Sequence, residues 1–189
     1  SGRLTRVMER VTSWVFQGKV ARYAIKHKVD AVIMYDCNAD RCFALLARRA
    51  PEIKRIIDNA HPARNYLFEV YKEHAVLSEE FVPTYARQPF LVDRVQAERF
   101  GREARTAHYH IVASSFSRES IMFNGIPEED IIMAPYGVDA ERFYRPRQGG
   151  GELRVLFVGE ITQRKGIAQI LAAAKRLSNQ NMTFDLVGG

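Results

Sequence analysis

A glycine and two basic side chains lie close together in the stretch Leu153–Gly166, LRVLFVGEITQRKG. Its apolar run ends at Gly159, and Arg164 and Lys165 stand at the predicted start of an amphipathic helix. A glycine at the end of a strand lets a phosphate approach the backbone, because no Cβ is in the way. A lysine at a helix N-terminus adds a full positive charge to the amide groups and the dipole there. The pattern predicts a phosphate-binding seat; the alternative is an ordinary strand–turn–helix with a solvated Arg–Lys pair.

Short apolar runs alternate with helical patterns on either side of this stretch. Helical spacing of apolar residues covers residues 3–28. Buried strands are predicted at 30–35 and 183–187, and further strands at 53–58, 110–113, 130–133 and 153–158. Further helices are predicted at about 40–50, in pieces within 63–106, at 116–124 and at about 165–178. This alternation predicts an α/β fold with parallel sheets and right-handed crossovers.

The glycine-rich stretch Arg145–Gly151, RPRQGGG, is the best candidate for a linker, since no apolar residue anchors it. We therefore predict that residues 1–145 belong to one domain, that 146–152 form a hinge, and that 153–189 are the first β-α-β unit of a second domain. One β-α-β unit cannot cover both faces of a sheet. We expect both domains to be incomplete here and the chain to be the middle part of a longer one.

The formal net charge of +6 and the pI near 9.5 favour anionic partners. The arginine-rich segment at about 90–106 is either a solvated helix face or a contact with anionic lipid. No base-reading motif or aromatic platform accompanies the charge, so nucleic acid is not an expected partner. Cys37 and Cys42 do not have the spacing of a zinc site, and we expect two reduced packing residues in a cytoplasmic protein.

Two longer stretches carry a resemblance to a known family. They are IVASSFSRESIMFNGIPEEDIIMAPYGVDAERFYRP, residues 111–146, and VLFVGEITQRKGIAQILAAAKRL, residues 155–177. In order, they fill most positions of the patterns S-x-x-S/T, G-x-P-x-x-x-I and P-x-G-V-D-x-x-x-F-x-P, then L-F-V-G followed by K-G-I-x-x-L-L-x-A. Together the two stretches resemble the group 1 (family 4-like) retaining glycosyltransferases, which have the GT-B architecture.

The resemblance implies two Rossmann-like domains joined by a hinge, with a nucleotide-sugar donor bound in the cleft between them. It implies transfer of a sugar from a nucleoside diphosphate, with retention, to a carbohydrate, lipid-linked or small-molecule acceptor. No metal or other cofactor is expected, and the protein would be cytoplasmic, with peripheral membrane contact left open. The alternative is a non-catalytic module that binds phosphate or a nucleotide.

The resemblance also assigns roles to single residues. A lysine at the position of Lys165 contacts the donor diphosphate at the strand-end Gly159. A basic residue is usual directly after that glycine, but Glu160 stands there, so we expect Arg164 to assist Lys165. A histidine near the transferred sugar corresponds to His61, the candidate catalytic residue. Four further residues at strand ends are candidates for lining the cleft: Ser114, Tyr136, Gly137 and Gly188.

Smaller expectations concern turns and caps. Any of Asp36, Asn38 and Asp40 could cap the helix that follows the first strand. Gly137 is expected to adopt a positive φ in its turn, and a turn-stabilising role is favoured for Asp139. His108 and His110 alternate along a strand, but no carboxylate partner is placed near them, so we predict no metal site there.

Overall fold

The computed structural model describes residues 2–75, 100–143 and 152–189. Almost all of the predicted hinge 146–152 lies outside them, as do the predicted helical pieces between 76 and 99 with their arginines. The described helices are α1 Gly2–His27, α2 Asp40–Arg49, α3 Arg64–Ala75, α4 Ser115–Met122 and α5 Ile167–Arg176. The strands are β1 Ala31–Tyr35, β2 Lys54–Asn59, β3 Tyr109–Val112, β4 Ile131–Met133, β5 Leu153–Val158 and β6 Met182–Val187. Residues 100–104 are also helical, and short 3-10 turns cover Glu128–Asp130 and Gln163–Lys165.

The first sheet contains β1 to β4 in sequence order, and every neighbouring pair is parallel. The register places Ile33 beside Ile56, Ile57 beside His110, and His110 beside Ile131. All four carboxyl ends therefore meet at one edge of the sheet, which is where open α/β sheets bind ligands. The predicted α/β class with parallel sheets is confirmed.

The core of this sheet lies on one face. Val32, Met34 and Ile57 point into a cluster with the apolar side of α2, which contributes Phe43 and Leu46. The carboxyl-terminal half of α1 packs against the same cluster. Burying a side chain of this size stabilises the fold by about 1.5–3 kcal/mol. The core thus fixes where β1 and β2 end, and with them the residues that follow each strand.

A groove of about 800 Å³ lies between α1 and the outer edge of β1. Its apolar lining includes Met8, Phe16, Ile33 and Tyr35. No described strand pairs with β1 on this side. None of the helices described, α1 included, is long and apolar enough to cross a membrane.

The second sheet pairs β5 with β6 in parallel from Leu153↔Met182 to Val158↔Val187. Helix α5 follows β5 and buries Ile167. The described residues fall into two compact units: one holds the first sheet, within residues 1–69 and 93–136, and one holds the second, within 70–92 and 137–189.

Helix α2 is not capped as predicted. Its N-cap position is Ala39, and no side chain of the turn before it caps the helix. Instead Gln17 of α1 accepts hydrogen bonds at its Oε1 from the Arg41 and Cys42 amides, at 2.8 and 3.2 Å. The free amides of a helix start can be satisfied by any nearby acceptor, and here the acceptor comes from another helix.

The expectation of a positive φ at Gly137 is wrong. Only Gly125, Gly159 and Gly166 have a positive φ among the described glycines. Residues 134–139 are irregular and exposed, so the chain does not turn tightly at Gly137. Asp139 accepts a hydrogen bond from the Arg142 amide at 3.1 Å, which is the turn-stabilising role favoured for it.

Candidate functional site

The first unit brings Asp36 and His61 together at the carboxyl edge of its sheet. Asp36 directly follows β1 and His61 follows β2, and the two strands are neighbours. The Asp36 carboxylate lies 3.7 Å from His61 Nδ1. The carboxylate side chain is 5% exposed and the imidazole 71% exposed. A buried acid beside an exposed imidazole acts electrostatically on the ring from its Nδ1 side.

Asp36 is held on the side of the His61 loop as well. Its carboxylate accepts a hydrogen bond from the Ala60 amide. Burial raises the pKa of Asp36, and the positive charges of His61 and Arg64 and the Ala60 bond oppose that rise. The carboxyl group is therefore matched to a cationic partner, because its charged form depends on one.

A second buried acid, Glu103, lies behind the turn that carries Asp36. We call residues 36–39 the β1–α2 turn. Glu103 comes from the helical residues 100–104, and its Oε2 accepts a hydrogen bond from the Cys37 amide at 2.8 Å, while its Oε1 accepts one from the Ala39 amide. Burial raises the pKa of Glu103 to about 7. One side chain thus satisfies two amides of the turn at once.

The loop that carries His61 is fastened to helix α4. The Ala63 amide donates to Ser120 Oγ at 2.9 Å, and both residues are fully buried. Asn65 and Asn124 exchange two amide hydrogen bonds, of 2.8 and 3.2 Å. His61 therefore sits on a loop whose two flanks, at Ala60 and Ala63, have fixed partners.

The other predicted strand-end residues have local roles or stand exposed. Ser114 caps α4, since its Oγ accepts the Ser117 amide at 3.1 Å. Tyr136 is 78% exposed, and nothing lies within 4 Å of the position a Cβ would take on Gly137.

The predicted phosphate seat lies in the second unit and is formed by residues that are close together in the sequence. Gly159 follows β5 with a φ of +156°, and its amide donates to the Val187 carbonyl at 3.0 Å. The 3-10 turn Gln163–Lys165 comes next, and Gly166, with a φ of +76°, separates it from α5. Lys165 therefore lies in the 3-10 turn, and the helix begins two residues later than predicted.

Position 188 requires a glycine because the backbone of Gly159 lies against it. A Cβ on Gly188 would lie 1.8 Å from the Gly159 carbonyl oxygen, a distance that no real contact allows. Gly188, a candidate for lining the cleft, is therefore in close contact with the protein's own backbone.

The two basic side chains of the seat, Arg164 and Lys165, differ in their ion pairing. Arg164 forms an ion pair with Glu160, with Nη2 and Oε2 3.2 Å apart. Lys165 is exposed and forms no ion pair with any residue that the structure describes. Arg164 is therefore partly neutralised inside the protein, and Lys165 carries the charge that a ligand would meet.

Gln163 occupies part of the helix start. Its Oε1 accepts a hydrogen bond from the Ala168 amide at 3.1 Å, and its Nε2 donates to Gln169 Oε1 at 3.0 Å. An amide group of the first turn of α5 thus already has an acceptor, which reduces what the helix start alone offers to a phosphate.

His108 and His110 belong to the framework. His110 is fully buried, with Nε2 3.1 Å from the Ala104 carbonyl and Nδ1 3.3 Å from the Asn59 amide nitrogen. His108 contacts Arg55, whose backbone amide donates to Nδ1 at 3.0 Å. Burial lowers the pKa of each histidine, so both favour the neutral ring.

From the sequence alone, Asp36 was considered only as a helix cap and Glu103 was placed only within the arginine-rich segment. One signal could have paired Asp36 with His61: the two residues follow the ends of two predicted strands that are consecutive in sequence, and the carboxyl ends of parallel strands meet at one edge of a sheet. Glu103 carries no such signal, because its contact with the β1–α2 turn spans 66 positions.

No protein-family model matches the chain, and no curated protein matches it. A solved structure, the apo form of the lipopolysaccharide outer core galactosyltransferase WaaB, matches all of it with a TM-score of 0.51 and 14% sequence identity. The chain spans about half of that structure, 52% of its length. At this identity the likeness establishes the fold: a chain with Rossmann-like parallel sheets of the GT-B glycosyltransferase kind.

Proposed function

We propose that the chain is part of a glycosyltransferase that moves a sugar from a nucleoside diphosphate to an acceptor with retention. Three observations support this function: the GT-B fold, the two motif stretches in their family order, and the exposed Lys165 after a strand-end glycine. The observation that carries it is Lys165, a cation without an ion-pair partner among the described residues, placed at the carboxyl end of β5.

Lys165 would bind the donor diphosphate and neutralise the charge that develops on it as the sugar leaves. Electrostatic stabilisation of developing charge usually contributes more than any other effect to the acceleration of such a reaction. Gly159 leaves the strand end open to a phosphate, and Arg164 would contribute the part of its charge that Glu160 does not hold.

His61 would contact the transferred sugar. The buried Asp36 lies on the Nδ1 side of the ring, which leaves Nε2 available for a hydrogen bond to a hydroxyl group or a phosphate oxygen. In this role the His61 ring must be oriented and must form a hydrogen bond, but the imidazole need not transfer a proton.

The remaining parts of the proposal come from the family resemblance. Residues 1–145 would belong to the acceptor-side domain and 153–189 to the donor-side domain, with 146–152 as the hinge. The acceptor would be a carbohydrate, a lipid-linked sugar or a small molecule, and catalysis would need no metal. The protein would work in the cytoplasm, where contact with a membrane surface is one way to reach a lipid-linked acceptor.

The donor-binding role is tested by measuring how uridine and guanosine diphosphates bind to the chain, by calorimetry and thermal shift. We expect Lys165→Ala to weaken binding by about 10-fold or more, since a charge-assisted contact contributes roughly 1.5–3 kcal/mol. Lys175→Ala is the matched control, because Lys175 lies in the last turn of α5, the helix that follows the 3-10 turn of Lys165. Equal binding by the two variants, or no binding of any nucleoside diphosphate, would remove Lys165 from the donor site.

A non-catalytic nucleotide-binding module is the second candidate, and Glu160 favours it by holding Arg164. The two functions separate in an assay of nucleotide-sugar hydrolysis and transfer, carried out on the longest open reading frame that contains this sequence. Turnover that falls with Lys165→Ala supports the enzyme. Tight binding without turnover of any nucleotide sugar supports the module.

A further inference from the structure

The two buried acids of the first unit, Asp36 and Glu103, lie on either side of the β1–α2 turn and act on different partners. Glu103 accepts two backbone amides of the turn, and Asp36 faces the His61 loop. Their contacts are consecutive along the chain, because the amide that Glu103 Oε2 accepts belongs to Cys37, the residue directly after Asp36.

We propose that Glu103 is the positioning residue of the His61 site, holding the β1–α2 turn so that Asp36 stands behind the imidazole. The catalytic meaning of this role rests on the function proposed above. The mechanical coupling from Glu103 to His61 rests on the contacts alone.

The β1–α2 turn needs contacts from outside the turn because one of its residues, Cys37, has an unfavourable backbone conformation. Cys37 has a φ of +66°, in the left-handed region that side chains with a Cβ rarely adopt. The conformation persists where surrounding contacts over-determine it. Those contacts are the two bonds to Glu103, the Asp36 amide bond to the Asp58 carbonyl at 3.1 Å, and the Asn38 amide bond to the Tyr35 carbonyl at 3.3 Å.

The path from Glu103 to His61 is short. Glu103 fixes the Cys37 amide, one peptide unit joins that amide to Asp36, and the Asp36 carboxylate contacts both the Ala60 amide and His61 Nδ1. A shift of the turn therefore moves the carboxylate relative to the ring. Because His61 is itself exposed, Asp36 is the strongest constraint that the structure shows on its Nδ1 side.

The hydrogen bonds by which Glu103 holds the β1–α2 turn depend on the ionisation of its carboxyl group. The carboxylate accepts one amide at each oxygen, and protonation converts one oxygen into a hydroxyl group that donates. Burial, Asp40 and Asp36 raise the pKa of Glu103, and its bonds from Ala39 and Cys37 oppose the rise, with a result of about 7. Among the residues that the structure describes, the other ionisable groups that face this cluster are Arg64, Cys37 and His61. Burial raises the pKa of the Cys37 thiol to about 12, so it stays protonated through the neutral range.

The test follows three signals by nuclear magnetic resonance as the pH is varied: the Cys37 and Ala39 amide protons and the His61 ring. In the wild-type chain we expect both amide shifts to change with a midpoint near pH 7. Glu103→Gln should abolish that change, because the glutamine amide does not titrate. It should also change the chemical shifts of the His61 ring at a fixed pH, because the Asp36 carboxylate moves relative to the ring. The ring signals are assigned by their loss in His61→Gln.

Glu119→Gln is the matched control, since Glu119 is an exposed glutamate of α4, and its His61 ring shifts should equal those of the wild type. If the amide signals respond to Glu103→Gln while the His61 ring shifts stay the same, Glu103 supports the turn only and the positioning role is excluded. If Glu103→Gln does not fold, the wild-type titration still decides: Cys37 and Ala39 amide shifts that do not change together at any pH overturn the proposal. None of these readouts uses a nucleotide, so they remain separate from the test of donor binding at Lys165.

Discussion

The two candidate sites are built in opposite ways. The phosphate seat consists of consecutive residues, Gly159 to Gly166, and its ion pair joins positions four apart. The His61 site is assembled from the ends of two strands and from Glu103, which reaches the β1–α2 turn across 66 positions of sequence.

Because of this difference, we expect substitutions in the phosphate seat to change ligand binding and substitutions in the His61 site to change the stability of the fold. The ion pair of the seat is on the surface, where such pairs contribute little to folding, so changes there should act mainly on the ligand. The His61 site contains buried polar groups that satisfy each other, so changes there should act on the fold. Substitutions in the two regions test this contrast, and those with the greatest expected consequence come first.

Glu103→Ala should destabilise the first unit by about 3 kcal/mol. The Cys37 and Ala39 amides both lose their acceptor, and each unsatisfied buried donor costs roughly 1–3 kcal/mol. Urea unfolding followed by the fluorescence of Trp14 measures this, because Trp14 is the single tryptophan and lies in α1 with the Arg41 guanidinium 3.2 Å from its ring centroid. Glu119→Ala is the control and should change stability by less than about 0.5 kcal/mol. Equal unfolding midpoints for the two variants would mean that the contrast does not hold.

Gly188→Ala should destabilise the second unit by about 2 kcal/mol, the cost of overpacking. The new Cβ would lie 1.8 Å from the Gly159 carbonyl oxygen, so the two strand ends must separate. Hydrogen exchange of the β5 and β6 amides measures the loss. Gly189→Ala has open space around its Cβ and serves as the control. If the β5 and β6 amides of Gly188→Ala are as protected from exchange as those of the wild type, the two strand ends can separate without a loss of stability.

The stability of the first unit should depend on pH through Glu103. Its pKa rises from the ordinary 4.5 to about 7 on folding, so the folded protein keeps a proton that the unfolded chain has released. The resulting stabilisation is complete below pH 4.5 and is lost as the pH rises through 7. The difference in unfolding free energy between wild type and Glu103→Gln should therefore be larger at about pH 5.5 than at about pH 8, by about 2 kcal/mol.

The comparison with Glu103→Gln isolates this contribution. The raised pKa of Asp36 acts in the same direction and the lowered pKa of His110 in the opposite one, but both groups are present in the two proteins. A difference that is constant with pH would mean that Glu103 does not change its ionisation on folding.

Glu160→Gln should have the smallest effect on stability, below about 0.5 kcal/mol, because it removes an exposed pair. It should strengthen the binding of nucleoside diphosphates by roughly two- to fivefold, since Arg164 is released toward the ligand. Isothermal titration calorimetry measures the affinity, with Glu152→Gln as a control in the same unit. Weaker binding by Glu160→Gln would indicate that Glu160 orients Arg164 for the ligand.

The positions of the predicted strands agree with the structure because each strand is encoded locally. A run such as DAVIMY or LRVLFV defines a strand within six residues, and the observed strands begin and end within one residue of the predictions. The predicted burial of 183–187 is wrong, since no residue of β6 is buried. The GT-B likeness was also accessible from sequence, through motifs that occur in a fixed order.

The interactions that sequence reasoning missed are those between distant residues. Capping of α2 was assigned to Asp36, Asn38 or Asp40, whereas Gln17 supplies the acceptor from α1. No local pattern distinguishes that glutamine from a solvated one. Glu103 was missed for the same reason, since its burial depends on how two elements pack and on no feature of its own segment.

The outer edge of β1 has a kinetic consequence. Strands β2 and β3 have a neighbour on each side, whereas β1 has one among the described strands and faces the apolar groove beside α1 on the other. Its outward amides lack the ladder that protects those of β2. Within the first sheet, the outward amide hydrogens of β1, like those of the other edge strand β4, should therefore exchange with solvent earlier than the amide hydrogens of β2 and β3 during local opening.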